Sequence, residues 1–210
     1  MPDTPTGTAP VAAAPVQPGW VVEGTTLTLS FSATGSPAPD AVFEVSFDGW
    51  ATSTVVPDAT VEKVGNTTTV SVEIDAAPLS ASGAQARAVF TNAFGTATSD
   101  PITLLVGTVP VAATPVDPGA VPEGTTLTLS FSATGIPAPS GIFEVSFDGW
   151  ATSTVVPDAT VETVGDTTTV SVEIVGAELA ADGAQARGVF TNPLGTATSL
   201  PITLHVVPAV

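Results

Sequence analysis

The sequence predicts an all-β protein made of two tandem antiparallel β-sandwich domains. Apolar and polar residues alternate with a period of two along short segments, and turn-forming residues separate these segments. The whole pattern then recurs one hundred residues further along the chain, with roughly four positions in five identical. No segment of useful length shows the 3.6-residue period of an amphipathic helix.

The strands of the first repeat follow one another along the chain. Thr and Val are frequent in them, as half-buried strands favour. The apolar sets expected to point inward are Leu27, Leu29 and Phe31; Phe43, Val45 and Phe47; Val70, Val72 and Ile74; and Ile102, Leu104 and Val106. Turns are predicted at 34–37, 48–49, 57–58, 65–66 and 92–95. The core is expected to contain Leu29, Phe31, Phe43, Val45, Val72, Ile74 and Phe90, and their equivalents in the second repeat.

The repeat divides the chain into two domains, which we predict at residues 1–106 and 107–210. Each repeat has a common domain size and is long enough for a core of its own. The two repeats meet near Val106, Gly107 and Thr108, before the segment VPVAATPVDPG. This linker is short, and its proline-rich continuation is expected to be stiff.

Each repeat resembles an intermediate-set immunoglobulin domain. The resemblance rests on the order EGTTLTLSFSATG, then F…DG, TTTVSVEI, GAQARAVFTNAFGTATS and ITLLV, which occurs twice with small changes. It is strongest to the bacterial and phage Ig-like repeats in which hairpins of the type YRAVFTNAAGTATS recur. The resemblance covers nearly all of both repeats and implies an antiparallel sandwich.

The resemblance also shows which residues occupy the positions of the usual core disulfide and tryptophan. The strand-B and strand-F cysteine positions hold Phe31 and Ala88, and the strand-C tryptophan position holds Phe43. The second repeat has Phe131, Gly188 and Phe143 at these places. A ring opposite a small side chain is expected to fill the space of the disulfide by packing, since the chain contains no cysteine.

Composition argues against several classes of partner. Twenty acidic residues face three basic ones, for a formal net charge of −17. Such a chain repels nucleic-acid phosphates and anionic lipid headgroups, so neither partner is expected. No apolar run is long enough to span a membrane. The first residues contain no basic segment followed by an apolar one, so no export signal is expected there.

No enzyme activity and no cofactor are expected. The only histidine, His205, corresponds to Leu105 in the first repeat, which leaves no repeated catalytic or metal-binding pattern. Acidic residues such as Asp48 and Asp58, or Asp117 and Glu123 near the linker, could collect calcium, but their spacing is not specific and solvated carboxylates are the simpler interpretation.

Charged residues on neighbouring strands are expected to form surface pairs. Glu44 and Arg87 each lie between inward-pointing neighbours on strands that pair in this fold, and Glu144 and Arg187 repeat the arrangement. An exposed ion pair of this kind is worth about 0.2–1 kcal/mol. We therefore interpret both pairs as structural.

Exposed aromatic residues are the candidates for binding. Trp50 and Trp150 follow an Asp-Gly turn, where a ring could stack on a sugar or anchor a protein, although folding back over Val55 or Val56 is the simpler interpretation. Trp20 and Phe94 occur only in the first repeat, where the second has Ala120 and Leu194. We therefore expect the first domain to dock on a larger assembly and the second domain to project its loops away from that assembly.

Two functions remain open for a chain of this kind. The favoured hypothesis is a phage virion protein that decorates a capsid or tail and displays its Ig-like domains for adhesion to a host surface or glycan. Its partners would be other virion proteins. The alternative is a two-repeat segment of a bacterial cell-surface adhesin or stalk, with a cell-surface protein or glycan as its partner.

Overall fold

The computed structural model describes residues 6–209 and confirms the all-β class. The described residues divide into two compact units, with the division between Gly107 and Thr108. The helical content is one short 3-10 turn in each unit, Leu79–Ala81 and Leu179–Ala181. Every other regular element is a strand.

The first unit contains ten strands and the beginning of an eleventh. Their bounds are β1 Thr8–Ala12, β2 Trp20–Val22, β3 Leu27–Ser36, β4 Asp40–Ser46, β5 Thr54–Val55, β6 Thr60–Val64, β7 Thr67–Ile74, β8 Gln85–Asn92, β9 Gly95–Thr98, β10 Ile102–Thr103 and β11 Leu105–Ala112.

Two sheets face each other in this unit. One has the order β1-β3-β7-β6, and the other has the order β10-β8-β4-β5, with β9 also paired to β8. All these pairs are antiparallel. The start of β11 pairs in parallel with β2, so that Leu105 lies opposite Trp20.

The second unit repeats this arrangement. After the later residues of β11 its strands are β12 Ala120–Pro122, β13 Leu127–Ile136, β14 Ser140–Ser146, β15 Thr154–Val155, β16 Thr160–Val164, β17 Thr167–Ile174, β18 Gln185–Asn192, β19 Gly195–Thr198, β20 Ile202–Thr203 and β21 His205–Val207. One sheet contains β11, β13, β17 and β16, and the other contains β15, β14, β18, β19 and β20. The last strand, β21, pairs in parallel with β12.

The core of the first unit lies between its two sheets. Phe31 on β3 lies opposite Val70 on β7, and Phe43 on β4 lies opposite Ala88 on β8. The buried set is Leu29, Phe31, Ala33, Phe43, Val70, Ala86, Ala88, Phe90 and Ile102. Val45, Val72 and Ile74 are half-buried and pack against it. The second unit has the equivalent core, in which Gly188 takes the place of Ala88.

Phe47 departs from the alternation expected along β4. The strand ends at Ser46, whose side chain is buried, and Phe47 is 73% exposed. The hydroxyl of Ser46 accepts a hydrogen bond from the backbone N–H of Trp50, 2.9 Å away, so the chain leaves the sheet here. The expectation that Phe47 points inward is therefore wrong, and Phe147 is likewise 75% exposed.

Candidate interaction surfaces

The turn after β4 is held by the carboxylate of Asp48. The backbone N–H and the hydroxyl of Thr52 both donate to it, at 2.9 and 2.6 Å, and the hydroxyl of Ser46 donates to it at 2.9 Å. These bonds favour the charged form and lower the pKa of Asp48 to about 2, with the Thr52 hydroxyl as the largest cause. The turn thus fixes Trp50 at a φ of 73°, which is unusual for a residue with a side chain.

Trp50 lies over Arg87 on β8. The guanidinium carbon of Arg87 is 4.0 Å from the centroid of the Trp50 ring, a cation–π distance. The same guanidinium group is bound to Glu44 on β4, with Nε and Nη2 of Arg87 each 2.9 Å from one carboxylate oxygen. Arg87 and Glu44 are directly opposite in register. The ring therefore packs on the ion pair.

The surface pairs are less exposed than expected from sequence. The side chains of Arg87 and Glu44 are 30% and 18% exposed, because Trp50 stacks on the guanidinium group. The second unit repeats the cluster, with Trp150 4.0 Å from Arg187 and Arg187 2.8 Å from Glu144. Trp50 and Trp150 thus fold back on their own domains, each over an arginine.

Trp20 and Phe94 are both half-buried. Trp20 is part of β2 and pairs with Leu105, whereas Ala120 pairs with His205 in the second unit. The ring of Phe94 lies so close to Gly7 that a Cβ on Gly7 would overlap it. The Phe94 ring therefore packs within its own domain, whereas Trp20 is placed there by its backbone pairing. Docking by the first domain stays a prediction.

The largest exposed aromatic surface belongs to Phe47 and Phe147, which the sequence pattern assigned to the core. In the second unit Phe147 borders an apolar groove of about 350 Å³, which is also lined by Ile174, Val175, Ala177, Glu178 and Ala181. We call it the Phe147 groove. Val175, which lines the groove, is 75% exposed, and Leu179 in the adjoining 3-10 turn is 42% exposed. A smaller apolar cavity of about 130 Å³ lies beneath Phe147 and extends towards Leu129 and Phe143.

The structure also bears on the side chains considered for metal binding. His205 is exposed, and its Nδ1 is 3.9 Å from the carboxylate of Asp182. Within residues 6–209, no three His, Cys, Asp or Glu side chains are grouped closely enough to hold a metal ion. In the same residues, no helix has the length and apolar character needed to cross a membrane.

Comparison with known proteins gives one sequence relative and a clear structural likeness. No protein-family model matches the chain. Endoglucanase C of Cellulomonas fimi is 32% identical over 212 residues, which cover 96% of this chain but only 16% of that protein. The chain therefore spans a small part of the curated relative it matches.

The structural likeness is to tandem Ig domains of titin. A three-Ig titin structure carrying an E-to-A change superposes with a TM-score of 0.63 at 17% identity. The superposition covers 95% of this chain and 66% of the titin chain. An I-band fragment of titin gives a TM-score of 0.62 at the same identity and coverage. At this level of identity the likeness shows the fold alone. The chain therefore consists of two tandem immunoglobulin-like domains that lack a core disulfide.

Proposed function

We propose that this chain is a non-catalytic attachment module of a bacterial surface or extracellular protein. Its two Ig-like domains would present binding side chains, and chemistry, where there is any, would belong to other parts of a larger protein. Ig-like sandwiches commonly serve as recognition scaffolds, although a fold by itself does not fix a function.

The observation that carries this proposal is the match to Endoglucanase C. The match includes both repeats and almost the whole chain, yet it accounts for 16% of the endoglucanase. A segment similar to the whole of this chain therefore occurs within a much larger bacterial protein. An endoglucanase cuts glucan polymers, which are too large to enter a cell, so a protein of this type meets its substrate outside the cell.

The physical properties of the chain suit that environment. A core held by Phe31, Phe43 and Phe90 needs no oxidising compartment for its folding, because the chain contains no cysteine. A formal charge of −17 keeps an apolar chain soluble and discourages unspecific association.

Immunogold electron microscopy tests the proposal. Antibodies raised against the purified chain would be applied to intact cells of the source organism, to its culture medium and to phage particles released from it. Label on the cell surface or protein in the medium is the expected result. Pre-adsorption of the antibodies with the purified chain is the control.

The same experiment addresses the virion hypothesis, which stays a prediction. Label confined to capsids or tails would support a virion protein and overturn the proposed attachment module. Label confined to the interior of cells that release no phage would contradict both.

A further inference from the structure

The Phe147 groove combines two features of a binding site, an apolar floor and exposed apolar side chains around it. Its apolar floor is formed by Ile174, Ala177 and Ala181, which are all residues of the second unit. Phe147 and Val175 also line the groove, and each is 75% exposed. Single exposed apolar side chains are common on proteins, but a contiguous patch with a concave centre is typical of an interaction surface.

The two repeats differ at this place more than at most others. Five substitutions fall within eight residues, namely Asp75/Val175, Ala76/Gly176, Pro78/Glu178, Ser80/Ala180 and Ser82/Asp182. Two of them replace a polar residue by an apolar one, at Val175 and Ala180. Two others add an acid, at Glu178 and Asp182. The floor residues Ile174, Ala177 and Ala181 are the same in both repeats, whereas the residues around them differ. The second repeat has more apolar side chains there, and its acids are at 178 and 182, whereas that of the first repeat is at 75.

The lining of the groove carries one acidic side chain, that of Glu178. The neighbouring acid along the chain, Asp182, is already engaged: its carboxylate accepts a hydrogen bond from the backbone N–H of Val206 at 3.0 Å and lies 3.9 Å from Nδ1 of His205. The nearest arginine in the sequence, Arg187, is bound to Glu144 beneath Trp150.

We propose that the Phe147 groove binds an extended segment of a partner protein in which lysine or arginine residues flank an apolar side chain. The apolar side chain would enter the groove against Phe147 and Val175, and a flanking basic side chain would pair with Glu178. Charge complementarity selects this occupant, because a second copy of a chain with a formal charge of −17 would be repelled, as would an anionic lipid surface.

This inference deepens the proposed function and rests on it, since an attachment module needs a partner. The inference and the proposed function would be disproved by different results. The location of the protein decides the proposed function, whereas peptide binding decides the chemistry of the groove, so either can fail alone.

Isothermal titration calorimetry with synthetic peptides tests the inference. The probe is a short peptide in which Lys alternates with Leu, and two control peptides carry Glu in place of Lys or Ser in place of Leu. The full chain is expected to bind the Lys–Leu peptide most tightly, with an affinity that falls as salt is added because exposed charges are screened. Equal binding of the Glu–Leu or the Lys–Ser peptide would overturn the inference.

Variants locate the site. Val175→Asp restores the residue of the first repeat, and Phe147→Ser removes the exposed ring; each is expected to weaken binding about tenfold or more, as for a central interface residue. Phe47→Ser is the matched control, because Phe47 is equally exposed but lies in the repeat that carries Asp75. Its affinity is expected to equal that of the unmodified chain.

Two results would overturn this assignment. One is unchanged affinity in both Val175→Asp and Phe147→Ser, and the other is a loss in Phe47→Ser as large as that in Phe147→Ser. Thermal melting of each variant shows whether it is folded, and the two substitutions in the groove act at different residues, so failure of one to fold leaves the other informative.

Discussion

Phe31 and Phe43 pack edge to face across the two sheets of the first domain, with their ring centroids 5.4 Å apart. Phe43 lies opposite Ala88, and Phe31 belongs to the same buried cluster. Phe31 and Ala88 occupy the two positions at which the resemblance to Ig domains places the cysteines of a disulfide. Phe131 and Phe143 repeat the contact at 5.3 Å. Aromatic pairs of this geometry add about 0.5–1.5 kcal/mol beyond the burial of their surface. The sheets are thus joined by interlocking rings instead of a covalent bond.

Phe31→Ala is expected to destabilise the first domain by about 3–5 kcal/mol, because it removes a buried ring and leaves a cavity. The measurement is the free energy of unfolding from urea denaturation. Phe47→Ala is the control, since Phe47 is 73% exposed and its loss should change stability by less than about 0.5 kcal/mol. A cost below about 1 kcal/mol for Phe31→Ala would contradict the role of the ring.

Gly188→Ala is expected to destabilise the second domain by about 1–3 kcal/mol, although the first domain has Ala88 at this place. A Cβ on Gly188 would lie 2.7 Å from the Cβ of Phe131 and 2.7 Å from Cε2 of Phe190. The side chains of Phe131 and Phe190 thus occupy the space that a methyl group at position 188 would need. Urea denaturation measures the effect, and a rise in stability, as glycine-to-alanine changes in strands usually give, would show that the core adapts freely.

The strands could be predicted from the sequence because their chemistry is local. The buried residues Leu29, Phe31 and Ala33 alternate with exposed or half-buried neighbours, and this period is enough to place β3 and its inward face. The same argument failed at Phe47, because the end of β4 depends on Ser46 accepting hydrogen bonds from the following turn. The alternation of apolar and polar residues in the sequence continues through Phe47, but the strand ends at Ser46 because of these side-chain hydrogen bonds. The alternation alone therefore does not show where β4 ends.

The cluster around Trp50 could be predicted only in part. The pairing of Glu44 with Arg87 follows from strand order and register. The stacking of Trp50 on Arg87 does not, because it requires a positive φ at Trp50 that the sequence favours only through the bonds of Asp48. The Phe147 groove was also not foreseen, although the differences between the repeats at 75–82 and 175–182 were its signal.

Thr52→Val is expected to raise the pKa of Asp48 from about 2 towards the ordinary value of 3.8, because it removes the hydroxyl donor that lowers that pKa most. The pKa is depressed in the folded state, so the stability that Asp48 contributes is fully present above about 3.8 and is lost as the pH falls through about 2. NMR titration of the Asp48 carboxyl carbon measures the pKa. Thr152→Val in the second repeat is the matched control, since it should raise the pKa of Asp148 and leave that of Asp48 unchanged. An Asp48 pKa that stays near 2 in Thr52→Val would show that the hydroxyl is not its main cause.

Fragments 1–107 and 108–210 are each expected to unfold cooperatively. Each contains its own core, and the first retains the pairing of Leu105–Gly107 with Trp20–Val22. A fragment that ends at Leu104 loses this pairing and the bond from Glu23 N–H to the Gly107 carbonyl, so it should melt at a lower temperature. Differential scanning calorimetry measures both effects. Failure of both longer fragments to fold would contradict the division into two domains.

Trp50→Ala and Arg87→Ala are expected to be coupled in a double-mutant cycle by about 0.5–2 kcal/mol, the range for a guanidinium group over an indole ring. The reason is geometric, since the two groups are 4.0 Å apart and Arg87 also holds Glu44. Arg87→Lys should recover little of this coupling, because an ammonium group lacks the planar face that stacks on the ring. Free energies of unfolding from urea denaturation give the cycle, and Trp150→Ala combined with Arg87→Ala is the control, since Trp150 stacks on Arg187. Additive effects of Trp50→Ala and Arg87→Ala would mean that the ring only covers the sheet and does not stabilise the ion pair beneath it.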